Sequence, residues 1–127
     1  MSSSFEITPE LMAGFLDEAP EHLEMLDGGL MKFESKTGSG VLSLETPEDY
    51  EQMNEMFRAA HSLKGLAAAF GFDKIKDLTH RMETLFDHVR MGKRKLKADS
   101  FELLFTVFDR LKALVHELAD ESAPRVW

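Results

Sequence analysis

Four residues near the middle of the chain have the types and spacing to do chemistry together: His61, Lys64, His80 and Glu83. Between the two pairs stands Phe70-Gly71-Phe72, a glycine turn that folds the flanking helical segments into an antiparallel hairpin. His61 lies eleven residues before Phe72 and Glu83 eleven after it, while Lys64 and His80 are each eight away. At roughly 1.5 Å of rise per residue, His61 and Glu83 both sit about 16 Å from the turn, at one level of the hairpin. Residues three apart share a helix face, so a single seam is expected to carry all four. A neutral imidazole has one protonated nitrogen and one free lone pair, and its partner decides which is which. Glu83 accepting from Nδ1–H would leave Nε2 as the nucleophile and stabilise positive charge developing on the ring, as the orienting acid of a triad does. Lys64, one turn along, suits the neutralisation of phosphoryl oxygens as a point charge. In-line transfer to and from the ring would also require that His61 be exposed.

The neighbours of His61 are small: Ala59, Ala60, Gly65, Ala67, Ala68 and Ala69. Glycine inside a helix costs about 1 kcal/mol relative to alanine, and Gly65 lies one turn from His61 on the same face. Access explains it: without a side chain there, another protein's active site can press against the imidazole. Judged on spacing alone, His61 reads equally as an ordinary exposed helix histidine, with Glu83 a weak surface partner. His22, His88 and His116 stand alone in the pattern and read as surface residues.

The 127 residues are one domain's worth, with 43% apolar and 30% charged residues, ordinary for a globular chain with a single core. The longest apolar runs fall far short of a membrane span, and the N-terminus lacks a signal-peptide pattern. The absence of cysteine excludes disulfides and thiolate metal sites and makes the cytoplasm the default location. A formal charge of -8 argues against nucleic-acid and anionic-membrane binding. Eight methionines and ten phenylalanines at helical spacing read as core.

Four amphipathic helices position the seam. Thr8-Pro9-Glu10 starts the first, about 8–36, with Thr8 as N-cap and Pro9 at the first helical position. Its stripe runs Leu11, Phe15, Ala19, Leu23, Leu26, Leu30, Phe33, and Pro20 within it should bend the helix without ending it. Thr46-Pro47-Glu48 repeats the start signal for the second, about 47–70, with stripe Met53, Phe57, Ala60, Leu63 (or Lys64), Ala67, Phe70. The third, about 73–91, would be capped by Asp73, with Ile75, Leu78, Met82, Leu85 (with Phe86) and Val89 inward and Gly92 closing it. Asp99-x-x-Glu102 resembles a capping box for the fourth, about 99–120, with Phe101, Leu104, Phe105, Phe108, Leu111, Val115 and Leu118 inward. Val41, Leu42 and Leu44 in the first connection are placed to lid the core. The basic run from Arg90 to Lys97 reads as a solvated helix C-terminus. No segment alternates with period two, so no strand is expected. The fold class is all-α, an antiparallel up-down-up-down four-helix bundle over residues 1–120 with a tail or linker from 121 to 127. A di-iron bundle is excluded, because it needs Glu-x-x-His and no histidine here has Glu three positions before it. There is also no Walker pattern for ATP, and Gly38-Ser39-Gly40 is too short to cradle it.

Phe57-Arg58-Ala59-Ala60-His61-Ser62-Leu63-Lys64-Gly65, Phe70-Gly71-Phe72 and Leu78-Thr79-His80-Arg81-Met82-Glu83 together closely resemble a histidine phosphotransfer (HPt) domain. More narrowly they are similar to the N-terminal P1 domain of chemotaxis histidine kinases of the CheA type, over most of the chain from Phe15–Glu18 to the fourth helix. The resemblance implies that His61 is phosphorylated on Nε2, that Glu83 holds the other ring nitrogen, that Lys64 and His80 complete a polar network, and that Gly65 clears the approach. It implies two partners: the kinase catalytic domain, which holds ATP and Mg and supplies the phosphoryl group, and a response-regulator receiver domain such as CheY or CheB, whose aspartate takes it. It also implies no cofactor and no catalysis in this domain itself, within a parent that is a protein histidine kinase. The second reading is a free-standing HPt protein relaying phosphate between receiver domains. Leu66 departs from the pattern, since many relatives carry a second glycine there, and a packing difference is expected from it. A fifth helix found in some P1 domains has no counterpart before Trp127.

Overall fold

The computed structural model describes residues 7–38 and 40–122. The expected tail from 121 on lies outside the described residues except for the helical backbone of 121 and 122. The elements in order are α1 (Pro9–Thr37), β1 (Val41–Leu42), α2 (Pro47–Phe70), α3 (Asp73–Arg90), β2 (Leu96–Lys97) and α4 (Ala98–Ser122). Each helix packs on its sequence neighbour and α1 also packs on α4, which closes the four into a bundle.

Local chemistry sets the helix starts. Thr8 Oγ1 accepts from Leu11 N–H at 3.2 Å, with Pro9 in the first turn where no amide hydrogen is needed. Thr46 caps α2 through a reciprocal box: its Oγ1 accepts from Asp49 N–H at 3.1 Å, and Asp49 Oδ2 accepts from Thr46 N–H at 3.2 Å. The same oxygen accepts from Glu45 N–H at 3.0 Å and pairs with the Lys36 ammonium at the end of α1. The Lys36 bond and then the Glu45 amide hold the Asp49 carboxyl down at about 2 against the opposing effect of burial, with the Thr46 amide helping. Gly71 ends α2 in the left-handed conformation at φ 75°, and Phe72 N–H reaches back to Ala67 O at 2.9 Å. The helix passes through Pro20 without a break.

The core draws on all four helices, with Phe15, Leu26, Leu30, Met53, Met56, Leu63, Met82, Phe86, Phe101 and Leu111 among its fully buried side chains. α1 and α2 approach so closely at Gly29 that a Cβ there would stand 2.5 Å from Met56 Sδ.

Several expectations are corrected. A short antiparallel strand pair exists, Val41 opposite Lys97 and Leu42 opposite Leu96, with Leu42 and Leu96 buried and the other two outward. It ties the two end connections together, and two residues are too few for a period to show. Asp73 does not cap α3: Phe72 is the N-cap and no side chain bonds there. Asp99-x-x-Glu102 is not the box of α4, which starts one residue earlier, with Ser100 Oγ accepting from Lys97 N–H at 3.3 Å. Leu11 is exposed. The inward stripes of α2 and α3 hold at Met53, Ala60, Leu63, Ala67, Ile75, Met82, Phe86 and Val89, and depart from expectation at Phe57, Phe70, Leu78 and Leu85, which are half-buried. Met56, Ala59 and Ala60 are buried while Phe57 is half-buried, and Thr79 and Phe86 are buried while Leu78 and Leu85 are half-buried.

Candidate functional site

The rotation of α2 and α3 that buries Ala60, Leu63, Thr79 and Met82 leaves one polar seam facing out between the two helices. Thr79 is tolerated inside because its hydroxyl donates to Ile75 O at 2.7 Å. On the seam, His61 Nδ1 stands 2.6 Å from Glu83 Oε2. Lys64 Nζ donates to the other carboxylate oxygen, Oε1, at 2.9 Å. Counting residues from the turn thus placed the histidine and the acid correctly. Their side chains differ sharply in exposure: 63% for His61, 26% for Lys64 and 12% for Glu83.

That gradient decides the chemistry. Burial by itself raises the Glu83 carboxyl, but the hydrogen bonds from Lys64 and His61 outweigh it and hold the group below its ordinary range. Glu83 is therefore an anion at neutral pH, an acceptor with no proton to give. With both the ammonium and the carboxylate fixed, Nδ1 of a neutral His61 carries the ring proton toward Oε2, and the lone pair is on Nε2.

Gly65 is exposed one turn from His61, and a Cβ built on it would meet nothing within 4 Å. Packing inside the chain does not require glycine there. An open groove beside the ring is lined by Glu18, Glu21 and His22 of α1 and by His61, Ser62, Gly65, Leu66 and Ala69 of α2. Leu66 is half-buried against the core, and His22, expected to stand alone, borders the groove.

His80 is not brought into the network. It shares the outward face of α3 with Glu83, but it is exposed and among the described residues makes no hydrogen bond or ion pair. The seam instead extends the other way, toward residues that sequence reasoning assigned elsewhere or passed over. Phe57 lies near-parallel to the His61 ring, with centroids 6.2 Å apart and planes 16° from each other. Arg90 places its guanidinium carbon 3.8 Å from the Phe57 ring centroid, and it donates to Asp87 Oδ1 at 2.8 Å and to Asn54 Oδ1 at 3.4 Å. The spacing was there to be read: 54, 57, 61 and 64 on α2 face 83, 87 and 90 on α3 at steps of three and four. Among the described residues no cluster of three or more histidine or acidic side chains is arranged to hold a metal ion, and no helix is long and apolar enough to cross a membrane.

A four-helix bundle whose second helix presents a carboxylate-held histidine to solvent is the architecture of phosphotransfer domains, and comparison with known proteins agrees. Residues 10–121 match the Hpt domain family, and the chain belongs to that family. It is 36% identical over 110 residues to the chemotaxis protein CheA of Salmonella typhimurium and 32% identical over 106 residues to that of Bacillus subtilis. These alignments cover 87% and 84% of this chain but 15% and 14% of the two CheA proteins, so the chain spans a small part of the relatives' length. Among solved structures it superposes on the CheA phosphotransferase domain from Thermotoga maritima with a TM-score of 0.72 and 32% identity, covering 87% of this chain and 96% of that one. It also superposes on a solution structure of the histidine phosphotransfer domain of CheA, with a TM-score of 0.73, 32% identity, and 90% and 78% coverage.

Proposed function

We propose that this chain is the phosphoacceptor domain of a CheA-type chemotaxis kinase and that His61 carries the phosphoryl group on Nε2. The observation that carries the reading is the 2.6 Å contact between Nδ1 and Glu83 Oε2, which engages one nitrogen of an imidazole that is otherwise open. The Nε2 lone pair attacks the γ-phosphorus of ATP held with Mg by the kinase catalytic domain. The bond to the β–γ bridging oxygen breaks, and ADP leaves with that electron pair. Positive charge appearing on the ring is met at Nδ1–H by the Glu83 carboxylate. Lys64 stands one turn away to offset the charge of the incoming phosphoryl oxygens. In the second transfer, a carboxylate oxygen of an aspartate on a CheY- or CheB-like receiver domain attacks phosphorus, and the N–P electron pair returns to Nε2. Gly65 leaves room for each partner in turn. The domain supplies the carrier and binds no cofactor of its own, and the parent protein is a histidine kinase acting in the cytoplasm.

The test is incubation with a CheA-type kinase domain and labelled ATP. An acid-labile, alkali-stable label that maps to His61 and is lost in His61→Gln supports the reading. An unlabelled chain, or label that survives His61→Gln, rejects it.

A further inference from the structure

Phe57 and Arg90 touch the site but have no part in the chemistry set out above. Phe57 sits one turn before His61 on α2 with its ring near-parallel to the imidazole, and Arg90 covers the Phe57 ring at 3.8 Å. The guanidinium is itself tied down, by Asp87 at 2.8 Å on its own helix and by Asn54 at 3.4 Å across the seam. Distance from the turn sets their order. Arg90 is eighteen residues from Phe72, Phe57 fifteen and His61 eleven. Along the hairpin axis the aromatic ring therefore falls between guanidinium and imidazole.

One hydrogen bond fixes a point on a ring and leaves its plane free to swing about that contact. A near-parallel aromatic neighbour restricts the plane. Resting on the reading of His61 as phosphoacceptor, we propose that Phe57 and Arg90 are positioning residues: Arg90 clamps the Phe57 ring, and Phe57 holds the plane of the His61 imidazole, so that Glu83 and Phe57 together give Nε2 a single aim. Core packing accounts for only one side of Phe57. The buried stripe of α2 passes through Met56, Ala60 and Leu63, and Phe57 rests half-buried against the edge of the core, with its other side on the polar seam beside His61 and Arg90. Arg90 is likewise half-buried with three partners, Phe57, Asp87 and Asn54, an arrangement that fixes one rotamer of a long side chain.

The experiment measures phosphorylation by a CheA-type kinase domain against domain concentration, alongside NMR of the His61 ring nitrogens. Variants are Phe57→Leu, Phe57→Tyr, Arg90→Gln and the double variant Phe57→Leu/Arg90→Gln. Small misalignments of reacting groups carry large rate penalties, so Phe57→Leu is expected to lower kcat about three- to tenfold with KM changed less than about twofold. In the same variant the His61 nitrogens should shift toward a mixture of Nδ1–H and Nε2–H tautomers. Phe57→Tyr, which keeps the ring, should restore both readouts. Arg90→Gln should lower kcat about two- to threefold alone and add little in the Phe57→Leu background, because it acts through Phe57. The proposal is overturned by a Phe57→Leu variant with wild-type kcat and tautomer balance, by a loss confined to KM, by failure of Phe57→Tyr to restore, or by full additivity with Arg90→Gln. Should Phe57→Leu fail to fold, Arg90→Gln decides alone, an unchanged kcat and ring spectrum being the adverse result. A wild-type chain that takes no label overturns the phosphoacceptor reading, while the ring spectra still show whether Phe57 governs the imidazole.

Discussion

Replacing Glu83 by glutamine keeps its volume and removes its charge, which isolates the electrostatic part of the proposed mechanism. The contact to Nδ1 is 2.6 Å, between a carboxylate that is 12% exposed and a ring that is 63% exposed. Water reaches one side of this pair, so an effective dielectric of about 40 to 80 applies, and a full charge at that separation is then worth about 3 down to about 1.6 kcal/mol. With roughly half a unit of charge developed on the imidazole at the transition state, the stabilisation is about 0.8–1.6 kcal/mol, a factor of roughly four to fifteen in rate. Glutamine also presents an amide that can donate as well as accept, so the preference for a proton on Nδ1 weakens and a further several-fold is lost. The expected outcome is phosphorylation slowed by about ten- to a hundredfold, the size of a general acid–base effect. The fold should be intact, because the carboxylate belongs to the surface seam and not to the core. Initial rates with a kinase domain in excess measure it, with circular dichroism as the folding control. Glu83→Gln phosphorylated within twofold of wild type, with native helicity, refutes the role assigned to the carboxylate.

Gly65→Phe should keep native helicity and melting temperature, since space at that position is open, yet phosphorylation should fall by more than about tenfold because the approach to His61 is filled; a normal rate disproves the access argument. His80→Gln should phosphorylate within about threefold of wild type, because His80 is exposed and has no partner among the described residues; a loss matching that of Glu83→Gln returns His80 to the mechanism. The Asp49 carboxyl lies at about 2 in the folded chain against an ordinary 3.8, so its contribution is complete above about pH 4 and is lost as pH falls toward 2. The shift of nearly two units corresponds to about 2.5 kcal/mol at most, and solvent around the half-exposed Lys36 partner reduces that to about 1–2. Urea unfolding should therefore show Asp49→Asn less stable by that amount at pH 6 and nearly level with wild type at pH 2, and a pH-independent difference counts against it. Gly29→Ala gains about 1 kcal/mol of helix propensity but drives a methyl group to 2.5 Å from Met56 Sδ, an overpacking that costs about 1–3. A net loss near 1 kcal/mol is expected, and a raised melting temperature argues against close packing of α1 on α2.

What could be read from the sequence follows from how local each feature is. Thr8-Pro9 and Thr46-Pro47 announce helix starts because the cap and its target amide lie within three residues. The pairing of His61 with Glu83 could be counted from Phe72 because helical rise is constant over eleven residues on each side of a tight turn. Helix phase was harder. At Met56-Phe57 and Leu85-Phe86 two adjacent large apolar residues compete for one inward position, and periodicity alone cannot separate them. At Leu78-Thr79 the polar residue goes inside, satisfied by its own backbone, which pattern reading counts as an error. The choice is made by the whole hairpin: turning Phe57 and Leu85 fully inward would rotate the seam away from solvent. His80 shows the opposite limit. Its spacing is right, but sharing a face with Glu83 says nothing about whether a side chain reaches across to the neighbouring helix.

Lys64 is the residue through which the resting and phosphorylated states are balanced in the proposed mechanism. Before transfer its ammonium bonds Oε1, and this, with the His61 contact, overcomes the burial that pushes Glu83 toward neutrality. After transfer a doubly charged phosphoryl group stands on the far nitrogen of a ring whose near nitrogen faces that same carboxylate. Without a cation between them the two anions would repel across one imidazole, and the phosphoryl group would be lost readily. Lys64 is a quarter exposed, and the flexible four-carbon stem of a lysine would let its ammonium turn between Glu83 and the phosphoryl oxygens, so that the repulsion is softened but not abolished. A carrier needs that middle ground, because a phosphoryl group held too firmly could not be passed on.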